Sequence, residues 1–201
     1  LQKLVHKTSN VYLKLMYNDS LMSTEDCMNK FFRYFLFLVL FVFHGFMFAV
    51  VNYVFPHYDV TRVTGVEVKR VDKDGPITKS NPADGPTRDV YFINTQNDDG
   101  KIMVYRNEDT RWGFPFYFKF GSANLQAEVQ ALGNENKLVQ IKYYGWRMTM
   151  FDEYRNALSV KEISGDMTPS HPILSWVFYA FLLLTLFLSI QFVRGWFDSE
   201  N

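Results

Sequence analysis

His57 and His171 are the side chains in the middle of this 201-residue chain best suited to hold a metal ion or carry a proton. Each adjoins a proline, neither has a second histidine or a glutamate at helical ligand spacing, and the only cysteine, Cys27, is remote in sequence. No zinc or iron site is expected from that pattern. Asn97–Lys101 resembles part of a calcium loop, but it lacks alternating ligands and a closing glutamate and reads as a hairpin turn. There is no Gly-x-Ser-x-Gly elbow, no phosphate-cradling glycine loop and no dinucleotide fingerprint. Catalytic, cofactor-binding and metal-binding residues are therefore all expected to be none, and the protein is expected not to be an enzyme. The cluster Arg106, Glu108, Asp109 and Arg111 could orient a polar ligand or form a salt-bridged rim.

Two aromatic stretches remain. "RWGFPFYFKF", from Arg111 to Phe120, is aromatic at six of its ten positions, and "YYGWR" runs from Tyr143 to Arg147. Rings beside arginines suit stacking and polar readout, which makes Arg111, Trp112, Phe114, Phe116, Tyr143, Tyr144, Trp146 and Arg147 the surface-recognition candidates. A structural reading competes with this one. Phe114, Phe116, Phe118 and Phe120 alternate with Pro115, Tyr117 and Lys119, so an extended segment would send four phenylalanines to one, core-like side. Gly113 and Pro115 make that segment an edge or a loop. If the Phe face and Trp146 are mainly structural, truncating one ring to alanine costs about 3–5 kcal/mol. Otherwise some of Trp112, Phe114 and Phe116 contact lipid headgroups, the helix hairpin or a partner.

The elements that must position these rings begin with two apolar runs. Phe31–Phe55 carries one charge near its start and Ile173–Val193 carries none. Both are long enough to cross about 30 Å of hydrocarbon, and neither shows a polar face. Lys30, Arg33 and Arg194 flank one side, against His57, Asp59 and His171 on the other, which puts both termini in the cytoplasm. The expected division is a cytoplasmic segment 1–30, a first span 31–55, a periplasmic domain 56–170, a second span 171–195 and a cytoplasmic tail 196–201 of a bacterial inner-membrane protein. Residues 1–27 differ in character from the rest of the chain and are expected to be either a short cytoplasmic extension or a stretch that is not native, with starts of the right form at Met22 and Met28.

Within the first span, His44, Phe48 and Asn52 share a face, and Gly45 with Ala49 forms a small-x-x-x-small pair beside it. His44, Gly45, Ala49 and Asn52 are therefore the helix-packing candidates. An imidazole at that depth should face another helix, with Ser175, Thr185, Ser189 and Gln191 as partners in the hairpin, or face a second molecule, or face a water-filled site and handle a proton or a metal.

Between the spans the pattern reads as strands. Asp59–Val71 alternates, with a bulge or bend at Gly65. "RDVYFINT" and "KIMVYRNE" flank the turn at Asn97–Gly100, and residues 72–87 read as an exposed loop. "GSANLQAEVQALG" predicts a helix capped by Ser122, apolar at Leu125, Val129 and Leu132 and stopped by Gly133. "KLVQIKYYGWRM" and "NALSVKEI" supply two more strands. Three strands, a helix and two strands is the element order of a five-stranded OB-like barrel, so the expected fold is two transmembrane helices flanking a small, mainly β extracytoplasmic domain.

"FPHYDVTRVTGVEVKRVD", "RDVYFINT", "GKIMVYRNEDTRWGFPFYFKFGSANLQAEVQAL", "YYGWR" and "NALSV" resemble the signature blocks of a bacterial membrane-protein family, the domain-of-unknown-function family fifteen twenty-three, over most of Met28 to Phe197. The resemblance implies location and architecture and transfers no catalytic residue. With 21 basic and 21 acidic residues, no net field recruits nucleic acid. The expected protein is a non-enzymatic membrane-anchored adaptor or accessory subunit without cofactors, whose partners are other membrane proteins or its own copies, together with the lipid bilayer. A periplasmic module that binds glycan, lipid or peptide is the alternative.

Overall fold

The computed structural model describes residues 29–73, 75–164 and 168–198, and the readings of the N-terminal segment up to Met28 lie outside them. Two helices, α1 (Asn29–Val54) and α3 (Ile173–Asp198), are long and apolar enough to cross a membrane. Between them lie the strands β1 (His57–Asp72), β2 (Gly75–Pro76), β3 (Arg88–Gln96), β4 (Ile102–Asn107), β5 (Leu138–Tyr144) and β6 (Arg155–Glu162), with the short helix α2 (Ser122–Asn134) between β4 and β5. The chain forms two compact units, one of helix residues up to Phe48 and from Ala180 onward, the other of Ala49–Tyr179.

In the helical unit His44 is only 5% exposed. Its Nδ1 lies 2.9 Å from the Leu40 carbonyl and its Nε2 3.4 Å from Thr185 Oγ1, so Thr185 is the one of the four polar candidates it meets. Gly45 departs from the expected stripe. A Cβ built there meets nothing within 4 Å, so Gly45 is not where α1 closes on α3. His44 and Gly45 are sequence neighbours about 100° apart on the helix, and burying one turns the other away.

In the second unit five strands close a ring in the order β1-β3-β4-β6-β5, with β1 pairing again to β5. The β4–β6 pair is parallel and the others are antiparallel. Strand β1 serves two neighbours. Residues 57–62 pair with β5 and residues 62–71 with β3, and the register shift between Val63 and Gly65 is the bend that lets one strand turn that corner. The expected count of five becomes six because Gly75–Pro76 folds back on Val71 and Asp72 within the expected loop. The hairpin turn forms as read, with Gly100 at φ 79° and Asn97 Oδ1 accepting the Lys101 N–H at 2.8 Å.

The core consists of Val63, Ile93, Tyr105, Val139, Ile141, Tyr143, Ala157 and Val160 from the strands, closed by Leu125 and Val129 of α2. Both ends of α2 differ from the sequence reading. Ser122 is not the cap residue: its own N–H donates to Asp109 Oδ1 at 2.8 Å, so the capping acceptor comes from a residue 13 positions earlier. Gly133 does not stop the helix, which runs to Asn134. It is a point of close approach, because a Cβ there would lie 3.0 Å from Val63 Cγ1.

Candidate functional site

A helix ends with four backbone carbonyls that no later turn can satisfy, and a helix leaving an apolar span must find donors for them. In α1 each one has a partner. Val51 O accepts from the Phe55 N–H at 3.0 Å, and Tyr53 O accepts from the Gly145 N–H at 2.9 Å. Asn52 O accepts from His57 Nε2 at 2.7 Å, and Val54 O accepts from the Tyr117 hydroxyl. Two loops of the β domain, one after β4 and one after β5, thus form a socket around the last turn of α1.

Side chains reinforce that socket. Trp146 Nε1 donates to Asn52 Oδ1 at 2.7 Å and sets its ring edge-on to Tyr53 at 5.4 Å, while Asn52 Nδ2 donates to Tyr179 Oη at 3.1 Å. Gly145 sits at φ 86°, and a Cβ there would be 3.7 Å from the Tyr53 ring. Tyr117 stacks on Tyr144 with centroids 5.1 Å apart, and burial raises its phenol above the usual range. Asn52 and Trp146, expected as a helix-packing and a surface residue, here hold one another.

The aromatic stretch is built outward from Tyr117. The expected alternation is present, but it is reversed in side. Trp112, Phe114, Phe116, Phe118 and Phe120 are 75%, 64%, 65%, 50% and 55% exposed. Tyr117 and Lys119 turn inward instead, and the segment is a loop, not a strand. The core-like Phe face is therefore corrected to a surface. The barrel interior is already filled by β-branched residues and tyrosines, and the polar groups of Tyr117 and Lys119 have partners only inside. Lys119 Nζ donates to Asn107 Oδ1 at 2.5 Å and to Ala157 O at 2.6 Å, and Asn107 Nδ2 donates in turn to Ser122 O and Gln126 Oε1. Burial pulls the Lys119 ammonium from the usual 10.5 down to about 8, against the opposing pull of Asp109 and Glu108.

Arg111 and Phe118 hold left-handed backbone at φ 50° and 51°, a conformation disfavoured for side chains of this size and kept here by the surrounding bonds. Arg111 N–H donates to Lys119 O at 3.0 Å and Lys119 N–H to Thr110 Oγ1 at 3.1 Å. The rings touch one another in series. Trp112 lies 5.7 Å from Phe120 and 5.3 Å from Phe118, Phe118 lies 6.4 Å from Phe116, and Phe116 lies 5.8 Å from Phe114.

A family model described as "Protein of unknown function (DUF1523)" matches residues 32–197. The chain belongs to this family. It is also 86% identical over 174 residues, 87% of this chain and all of the relative, to an uncharacterized protein of Haemophilus influenzae. No solved structure matches it.

Of the remaining candidates of this DUF1523 chain, the two tyrosines are drawn into its interior and Arg147 is held flat on its surface. Tyr143 and Tyr144 are 6% and 9% exposed, so neither offers a face for stacking. Arg147 lies over the Tyr154 ring at 3.9 Å and donates to Glu153 O. The charged cluster divides: Arg106 bridges Glu108 and Glu153 at 3.1 and 3.2 Å, Asp109 caps α2, and Arg111 alone projects outward. A cavity of about 200 Å³ is lined by Asp59, Tyr105 and Arg155, where Asp59 Oδ2 accepts from Tyr105 Oη at 2.5 Å and from Arg155 Nη1 at 3.2 Å. Among the described residues, no three His, Cys, Asp or Glu side chains come together so as to hold a metal ion. Asn107 and Lys119 are the organising residues that sequence reasoning missed, and Asp109, read there as part of a polar rim, is the cap of α2. A lysine opposite four phenylalanines ordinarily marks the outward side, so no local signal in the sequence shows that Lys119 faces in.

Proposed function

We propose that this protein is a non-enzymatic, membrane-anchored adaptor or accessory subunit of the bacterial inner membrane, docking on a larger membrane assembly or on copies of itself. Both termini are cytoplasmic and the β domain is periplasmic, as the flanking Lys30, Arg33 and Arg194 favour. The β domain is of OB type, a reading supported by the closed ring, its single parallel pair and the helix between β4 and β5. One observation carries the functional reading. The polar side chains of the aromatic stretch, Lys119 and Tyr117, are bonded to Asn107 and to the end of α1, whereas five contiguous rings stay uncovered on a rigid mount. Groups arranged in this way act by contact and not by proton or group transfer. The glycan- or peptide-binding alternative loses its second half, because Tyr143 and Tyr144 are buried and Arg147 is stacked.

Isolation of the intact protein in a mild detergent tests this reading. A membrane protein co-purifying in fixed ratio, or a discrete homo-oligomer, is expected. A bare monomer that turns over a small envelope substrate would overturn it.

A further inference from the structure

We propose that the rings of Trp112–Phe120 form a foot on the membrane surface, resting in the outer interfacial layer of the bilayer that α1 crosses, with Arg111 at the level of the lipid phosphates. This narrows the adaptor reading: it gives the ring face to the bilayer that anchors the domain and leaves docking on other proteins to the rest of the molecule, and it rests on α1 being a span.

The helix length places the foot. At about 1.5 Å per residue the 26 residues of α1 measure about 39 Å, against about 30 Å of hydrocarbon and about 40–45 Å with the headgroups. If α1 starts near the inner surface, Val54 at its far end lies in the outer headgroup layer. The Tyr117 hydroxyl is bonded to that residue's carbonyl, and Tyr117 stands between Phe116 and Phe118. Phe114 lines the same cavity as Tyr53 in the last turn of α1. The uncovered rings therefore lie at the depth where aromatic side chains are favoured, with an apolar body toward the acyl chains and quadrupole and indole N–H toward the headgroups.

Three elements tied to this helix end carry uncovered apolar groups, which favours lipid over a protein partner. The first is the loop itself. The second is the loop that begins at Gly145, whose amide holds Tyr53 O and whose Met150 and Phe151 are exposed. The third is the start of α3, where Trp176 is exposed and packs edge-on to Tyr179, the residue bonded to Asn52. A bilayer surface meets every element at its depth, whereas a docking protein covers one patch. The charge pattern agrees: Lys119 turns inward to Asn107 and Ala157, and the outward cation of the stretch is Arg111, at its edge, where a phosphate can be reached while the rings enter below it.

The test uses the full chain with its single cysteine changed, Cys27→Ser, and one new cysteine carrying an environment-sensitive fluorophore, at Phe116→Cys or, as a control on the span itself, at Leu184→Cys. The protein is reconstituted in phosphatidylethanolamine and phosphatidylglycerol vesicles whose acyl chains are brominated near the headgroup or near the methyl end. The probe at 116 should shift to the blue and lose more than half of its emission to the headgroup-proximal bromines, and the probe at 184 should be quenched by the deep ones. Quenching at 184 without quenching at 116 would overturn the foot and leave the membrane anchor standing. Absence of quenching at both would overturn both. A probe at 116 shielded from lipid bromine and from aqueous iodide alike would also overturn it, by showing that a protein surface covers the rings. A Trp112→Ser, Phe114→Ser variant, altered only on the surface, should halve the quenching at 116.

Discussion

Replacing Lys119 by methionine should remove a pH dependence built into the β domain. Burial lowers the Lys119 ammonium from the usual 10.5 to about 8. Between those values the unfolded chain holds a proton that the folded chain has released, so stability rises with pH across the interval. The neutral amine still has two hydrogens, one for Asn107 Oδ1 and one for Ala157 O, so neither bond is lost on deprotonation. At about 1.4 kcal/mol per pH unit where the slope is full, and less at either end of the interval, Lys119 should contribute a gain on the order of 2 kcal/mol from pH 8 to pH 10. Above that range the buried tyrosines reverse the slope. Tyr105, Tyr117 and Tyr143 are raised, chiefly by burial and Tyr143 to about 12, so they keep their protons in the fold while the unfolded chain ionises, and their contribution falls as pH rises past 10. Stability should therefore peak near pH 10.

Lys119→Met leaves two acceptors without donors, a cost of about 1–3 kcal/mol each, and relieves the buried charge, so near neutrality the two effects offset in part. The slope, not the neutral-pH stability, is the discriminating quantity. Urea midpoints of the full chain in nanodiscs, monitored by tryptophan fluorescence from pH 7 to 11, measure it. A wild-type profile that is flat between pH 8 and 10, or a Met variant that keeps the rise, refutes the reasoning.

Gly133→Ala should destabilise by about 1–2 kcal/mol although alanine is the better helix former by about 1 kcal/mol, because its Cβ would come within 3.0 Å of Val63 Cγ1 and 3.3 Å of Val63 Cβ; a midpoint above wild type would contradict the close approach. Tyr117→Phe keeps the stacking on Tyr144 but leaves Val54 O without its donor, a loss of about 1–3 kcal/mol. Amide exchange should speed up in the loop after β4 and in the last turn of α1, and exchange unchanged there would remove the socket from consideration. A reporter active only in the periplasm should be silent when fused after Asn201 and active when inserted within residues 73–86; the opposite pattern would reverse the orientation and take the envelope reading with it.

Local periodicity and polarity were enough to find the two apolar helices, five of the six strands, α2 with its face of Leu125, Val129 and Leu132, the bend in β1 and the turn at Asn97–Gly100. These depend on dihedral preferences and on side-chain spacing within a few residues, which the sequence carries directly. It could not decide which side of an alternating segment faces inward. Phe114–Phe120 alternates equally well in either sense, and a shift of one residue exchanges the two faces. The choice was made by remote groups: Asn107 and Ala157, which provide acceptors for Lys119, and Val54, whose carbonyl takes the Tyr117 hydroxyl from 63 residues away. The same holds for Asp109 capping α2, for Gly133 lying against Val63, and for His44 facing Thr185 while Gly45 faces away. Each is a pairing across the fold, and its partner is known only once the backbone has brought the two groups together.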